Sequence, residues 1–364
     1  MKQNTTYKQT ELGLIPDDWE VKKLGEVIKL GNGKDYKHLN SGNIPVYGTG
    51  GIITYVDKYL FNGKSVGIGR KGSIDKPVLL DGKFWTVDTL FYVKEFFNSD
   101  IDFIYNSFLK IPWLKYNEAT GLPSLSQNII NNLKIPLPPL PEQKKIADCL
   151  STWDVAIEKQ SALINALTQR KKALMQQLLT GKKRLPGFSD EWKEVKLGEI
   201  SIKKSSTLQA NSLEENNGEF KVYGASGIVA NIDFYNESEE YIGIVKDGSG
   251  VGNLMLCDAK SSVLGTLDII KNNKKSNLFF IYLILSKIHF EKYKVGGAIP
   301  HIYYRDYSRE KINIPSLSEQ TAIAAILATA DRELTLQKEK LAQLQQQKKG
   351  LMQVLLTGKK RLIN

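Results

Sequence analysis

The run LMQQLLTGKKRL at residues 174–185 returns almost unchanged as LMQVLLTGKKRL at residues 351–362. Working outward, Pro138 to Leu185 aligns without a gap onto Pro315 to Leu362, a shift of 177 residues, with about half of the positions identical. Other pieces return in the same order. Trp19, Leu24, Gly25 and Glu26 reappear as Trp192, Leu197, Gly198 and Glu199; VYG at 46–48 reappears at 222–224; Gly67-Ile68 reappears as Gly243-Ile244. A repeat of about 175 residues is too large for a solenoid unit, so it marks a duplicated domain with its helix. The stretches between the shared anchors have diverged, which is the pattern of one scaffold carrying two different surfaces.

Heptads run through both copies of the block. In the first, Ile146, Trp153, Gln160, Leu167 and Leu174 interleave with Leu150, Ile157, Ile164, Lys171 and Leu178. In the second, Ile323, Ala330, Gln337, Leu344 and Leu351 interleave with Leu327, Leu334, Leu341, Lys348 and Leu355. These are the a and d positions of a helix seam, with Gln and Lys as polar intruders at matching places. A helix from Glu142 to Leu179 spans about 57 Å at 1.5 Å per residue. Prolines before it, acidic residues in its first turn, and Gly181 and Gly358 beyond its end supply start and stop signals. Two such seams in one symmetric chain are expected to pack antiparallel, and the Lys-Lys-Arg clusters are read as caps on the negative helix ends.

Composition narrows the function classes. The 364 residues are 41 % apolar and 24 % charged, which fits about two domains with real cores. Fifty basic residues against 39 acidic ones give a net charge of +11, which favours a polyanionic partner. Cys149 and Cys257 stand alone, so neither a disulfide framework nor a metal site is expected, and the chain reads as cytoplasmic. The polar start is not expected to act as a signal peptide, and the longest apolar run, Leu278 to Leu285, is too short to span a bilayer.

One motif invites a nucleotide site. GIGRKG at 67–72 matches Gly-x-Gly-x-x-Gly, which needs a helix to follow. SIDKPVLLD follows instead and reads as a turn into a strand, and the second copy, GIVKDG, has lost the middle glycine. His38, His289 and His301 are scattered, and no Walker, His-Glu-x-x-His or serine-elbow motif is present, so the chain is expected to catalyse nothing by itself.

Taken together, the Trp-x-x-x-x-Leu-Gly-Glu entries, IPLPPLPEQKKIA before the first helix and LLTGKKRLPGF after it, with INIPSLSEQTAIA and LLTGKKRL in the second copy, resemble the specificity subunits of type I restriction-modification systems. The resemblance covers essentially the whole chain. It implies an α+β fold class, with two pseudo-symmetric mixed α/β target recognition domains separated by two long antiparallel coiled-coil helices. The implied boundaries are 1–141 and 182–318 for the domains, 142–181 and 319–358 for the helices, and 359–364 for a tail. Implied partners are double-stranded DNA read as a bipartite target, modification subunits that methylate adenine with S-adenosylmethionine, and restriction subunits that use ATP and Mg. This chain itself would hold no cofactor and no metal. The rival readings are the DNA-recognition subunit of a related, type IIB-like system, or a coiled-coil scaffold that binds no nucleic acid.

Two loops per copy are the candidate DNA contacts. The segment GIGRKGS offers Arg70, Lys71 and Ser73, and its counterpart offers Lys246 and Ser249. ATGLPSLSQN at 119–128 and GGAIPHIYYRD at 297–306 resemble a second recognition loop, with Ser124, Ser126, Gln127, His301, Tyr303 and Arg305. For each of these a solvated loop residue is the competing reading, while Tyr47 and Tyr223 read as packing residues. The apolar seam residues above, from Ile146 to Leu178 and from Ile323 to Leu355, are the candidate helix-pair and partner interface.

Overall fold

A computed structural model describes residues 6–213 and 218–362, which group into two compact units, Met1–Ala162 with Glu339–Asn364, and Leu163–Lys338. Two 39-residue helices, Leu140–Leu178 and Leu317–Leu355, each give one part to either unit. The spacer boundaries expected at 142 and 319 thus become helix starts two residues earlier. Pro141 fits there because a first-turn residue has no intrahelical acceptor for its N–H.

In the first unit, an antiparallel sheet runs in the order Ile28–Asn32, Leu90–Phe96, Ser65–Gly69, Val78–Leu80. A second sheet pairs Gly51–Val56 with Ser41–Gly48, which lies parallel to Lys83–Thr86. Glu20–Lys23 and Lys134–Leu137 form a ribbon at the base. The helix Ile101–Lys110 is capped by the Asp100 carboxylate, which accepts from Phe103 N. Trp19, Phe103, Phe108 and Trp113 are buried in one core, and Leu150 and Leu355 from the two long helices, with Leu356 just beyond the second, close it.

The second unit repeats the plan. Its antiparallel sheet runs Ser201–Ser205, Leu267–Asn272, Tyr241–Val245, Leu254–Cys257, and a smaller one joins Gly227–Ile232, Phe220–Gly224 and Ser262–Val263. Lys193–Lys196 pairs with Lys311–Ile314, and Asn277 caps the helix Leu278–Leu285. Leu178, Leu179, Ile323 and Leu327 complete its core.

The duplicated block explains how each unit is tied to its helices. Glu142 is buried at the start of the first long helix, and both of its oxygens accept from Arg361, at 2.7 Å each. Arg361 also forks onto Asp18, and Trp19 Nε1 donates to Glu142 at 2.9 Å. Hydrogen bonding to Glu142 raises the guanidinium pKa further above its ordinary range, against the opposing effect of burial. In the second unit Arg184 forks onto buried Glu319 at 2.8 Å. The tail arginines therefore serve the start of the other long helix, instead of capping their own helix as the sequence reading has them. The neighbouring glutamines are equally specific. Gln143 donates to Pro138 O and accepts from Asp100 N, and Gln320 does the same with Pro315 O and Asn277 N.

Along the helices every a and d position of the heptads is buried or half-buried, whereas most of the others are exposed. In the first unit Glu142 meets Arg361 and Asp154 meets Lys348, so the two helical segments run in opposite directions. In the second unit Lys171 pairs with Asp331. The seam lysines thus find carboxylate partners, which removes most of the cost of placing an ammonium on an apolar stripe. Gly181 and Gly358 end the helices at φ +69° and +70°, with Lys183 N and Lys360 N returning to Gln177 O and Val354 O.

Arg361→Ala strands a buried carboxylate, so the first unit is expected to lose about 3–5 kcal/mol. A urea midpoint equal to that of the parent chain would refute the role given to this pair; adding Glu142→Gln to Arg361→Ala should recover part of the loss.

Candidate nucleic-acid interface

The strand Ser65–Gly69 is fully buried and delivers Arg70 and Lys71 to the surface at its end. Each glycine of the motif has a packing reason. A side chain on Gly67 would meet Val78, one on Gly69 would lie 2.4 Å from Ser73 O, and Gly72 holds φ +90°. The chain then turns into the strand Val78–Leu80, so no helix follows and no phosphate cradle of the dinucleotide type forms.

The second predicted loop is zipped to the first through main-chain groups. Gly72 N donates to Pro123 O at 2.8 Å and Leu125 N to Arg70 O at 2.9 Å, with Leu125 buried as the anchor. Arg70 N and Lys71 N both donate to Thr89 O. Arg70, Lys71, Ser124, Ser126 and Gln127 are thereby brought around one open groove of about 370 Å³. Ser73 sits half-buried in the turn behind it. Ser126 caps the helix Gln127–Asn132 by accepting from Ile129 N, and Gln127 donates to Asn32 Oδ1 at 2.9 Å. Among the described residues Arg70 and Lys71 have no ion-pair partner; Arg70 lies over the Phe91 ring, 5.8 Å from its centroid. Sequence reasoning missed Asn32 and Phe91, which line the groove from distant segments, and Glu118, which lines it from the residue just before the second loop.

The second unit uses the same zipper. Gly248 N donates to Pro300 O and Ile302 N to Lys246 O, both at 3.0 Å, with Ile302 buried where the first unit has Leu125. The side chains differ. Lys246 lies 3.7 Å from the Asp268 carboxylate, which is 5 % exposed and also faces Lys203 at 3.5 Å. Asp247 stands where the first unit has Lys71, and it takes His301 Nδ1 at 2.7 Å. Ser249, Tyr303 and Arg305 are exposed, and Arg305 lies over the Tyr303 ring at 4.9 Å. The sequence offered no sign of the His301–Asp247 pair, because 54 residues separate its members. Tyr223 is buried, with its hydroxyl donating to Asp258, and Tyr47 packs edge-on against Phe84.

One zipped pair of loops thus presents two chemistries. The first unit offers a guanidinium, an ammonium, hydroxyls and an amide; the second offers an imidazole held by a carboxylate, a phenol and a guanidinium. No group of three or more His, Cys, Asp or Glu able to hold a metal occurs among the described residues, and no helix there is long and apolar enough to cross a membrane.

Comparison with known proteins adds an independent line. The family model for the type I restriction modification DNA specificity domain matches residues 16–169 and again 189–346. The type I restriction enzyme MjaVIII specificity subunit of Methanocaldococcus jannaschii is 26 % identical, over 96 % of this chain and 95 % of its own length. A putative type I restriction enzyme specificity subunit of Haemophilus influenzae, S.HindORF215P, is 26 % identical over 90 % of this chain and 91 % of its own. Among solved structures, the type I restriction-modification S subunit from M. genitalium covers 98 % of this chain and 97 % of its own, with a TM-score of 0.72 at 17 % identity.

The free and the tied cation should separate in stability. Arg70→Ala is expected to change unfolding free energy by less than about 0.5 kcal/mol. Lys246→Ala leaves buried Asp268 with Lys203 as its one remaining cation among the described residues and should cost about 1–3 kcal/mol. Equal thermal midpoints for the two variants would refute the distinction.

Proposed function

The chain belongs to the type I restriction-modification DNA specificity family, and on that premise we propose that it is the subunit that reads a bipartite DNA target, one half with each unit. The observation that carries this reading is the zipped loop pair, repeated on one main-chain frame with different side chains. A frame held by backbone hydrogen bonds tolerates any exposed side chain, so two copies can read two sequences. In the first unit Arg70 suits guanine or a phosphate, Gln127 suits adenine, and Ser124 either. In the second, Tyr303, Arg305 and Ser249 are the exposed groups, with His301 steadied by Asp247.

The long helices are the proposed spacer and the docking surface for modification subunits, with the heptad seam as an antiparallel coiled coil. The chain supplies no catalytic group of its own. Adenine methylation and DNA cleavage fall to modification and restriction subunits, which would carry S-adenosylmethionine, ATP and Mg.

Binding of the full chain, with its modification partner, to duplex DNA tests the reading. Arg70→Ala should weaken binding, and if it contacts a phosphate the salt slope should fall by about 1 on every sequence. A loss of about 1–3 kcal/mol confined to the cognate site marks base readout instead. Unchanged affinity for both Arg70→Ala and Arg305→Ala would refute the assignment of these loops.

A second experiment addresses the spacer. One heptad inserted after Leu163 and one after Lys340 keeps the seam in register and lengthens each helix by about 10.5 Å. Methylome sequencing should then show both half-sites retained and about two to four more unread base pairs between them. An active variant with the original spacing would sink the idea.

A further inference from the structure

Beside each loop pair stands a hairpin whose tip is apolar and faces solvent. Ser41–Gly48 pairs with Gly51–Val56, and Phe220–Gly224 pairs with Gly227–Ile232, closing at Gly48–Gly51 and Gly224–Gly227. The second strand of both hairpins shows one burial pattern, with Ile52 and Ile53 at 49 % and 55 % exposure and Ile228 and Val229 at 54 % and 45 %. Two consecutive residues of a regular strand face opposite sides of the sheet. Here the pairing register skips a residue after Thr54–Val46 in one hairpin and after Ala230–Val222 in the other, leaving Ile53 and Val229 as the bulged residues. A bulge re-aims a side chain, and both copies keep it. Gly48 and Gly224 are needed for the same reason. A Cβ there would lie 2.5 Å from Ile53 and 2.7 Å from Val229.

The hairpin tips abut the proposed DNA loops. Thr49 Oγ1 lies 3.5 Å from where a Cβ of Gly72 would stand, and Ala225 Cβ 3.9 Å from that of Gly250. The loops next to them have exchanged part of their chemistry, Lys71 for Asp247 and Ser124 for His301, and the turns differ too, Thr49-Gly50 against Ala225-Ser226, while Ile52-Ile53 and Ile228-Val229 stay apolar. A group that read a particular base would be expected to differ between two readers of different half-sites. A group retained in both serves something the half-sites share, and apolar side chains on a DNA-facing edge are suited to one shared task, parting stacked base pairs.

We propose that Ile52 with Ile53, and Ile228 with Val229, are sequence-independent wedges that enter a base step beside the bases each loop pair reads. The proposal rests on the DNA-reading function above and adds to it a deformation of the duplex in each half-site. The apolar tips stay paired with the cationic or polar loop next to them, which brings the duplex to them.

The test uses the full chain assembled with its modification partner, a duplex bearing the mapped motif, and 2-aminopurine placed in turn through each half-site. Ile52→Thr/Ile53→Thr and Ile228→Thr/Val229→Thr keep β-branched residues, so the strands should hold and the thermal midpoint stay unchanged. The parent complex should show one step of raised fluorescence per half-site. Each double variant should abolish the signal in its own half-site alone, weaken binding by about tenfold or more, and leave the methylated motif unaltered. Full fluorescence and affinity in both variants, while Arg70→Ala weakens binding, would overturn the wedge and leave the DNA-reading function standing. Indifference of Arg70→Ala and Arg305→Ala as well would overturn both. A motif relaxed at a thymine would show base reading instead of wedging, and loss of the modification partner on gel filtration would make the tips a protein-docking site; either result overturns the proposal.

Discussion

A buried carboxylate at the start of each long helix, gripped by an arginine from the tail that follows the other helix, is the constraint on which each unit depends. Glu142 and Glu319 are 3 % and 1 % exposed, a position in which an ionised carboxylate survives only with its hydrogen bonds filled. Arg361 and Arg184 fill them in bidentate fashion. A chain segment far away in sequence is thereby fixed against the helix start. The glutamine next door, Gln143 or Gln320, uses its amide to tie that helix start to the cap of the globular helix. Two adjacent residues therefore set the orientation of helix and core within each unit.

The two units do not fill this frame identically. Glu142 also receives the Trp19 indole, and its arginine forks onto Asp18. In the second unit Trp192 Nε1 is buried with no hydrogen-bond partner among the described residues, and the Arg184 guanidinium lies 6.0 Å from the ring of that Trp. The desolvated indole N–H makes the second clasp the less fully satisfied of the two.

The same separation of frame from content recurs at the loops. Main-chain hydrogen bonds from Gly72 to Pro123 and from Gly248 to Pro300 hold them, and buried Leu125 and Ile302 pin them. These bonds use main-chain groups whatever side chains stand at 70, 71, 124 or 246, 247, 301, and in the second unit the Asp247–His301 pair adds a side-chain bond across the two loops. Backbone-held loops permit divergence of exposed residues without loss of fold, which is the physical condition for one duplicated domain to acquire two specificities.

Much of this was legible in the sequence. The duplication, the two helices, their seam and their glycine ends follow from periodicity and local conformational preference, which are written within a few neighbouring residues. The pairing of each first loop with its second was legible only as two separate candidate segments, since a main-chain zipper carries no residue signature. What the tertiary structure alone decided is the state of each charged group: Arg70 free of ion pairs among the described residues, Lys246 beside Asp268, His301 held by Asp247, and the tail arginines turned to the other helix. The reason is that ion pairing depends on distance in space, and those partners lie between 22 and 219 residues apart in the chain.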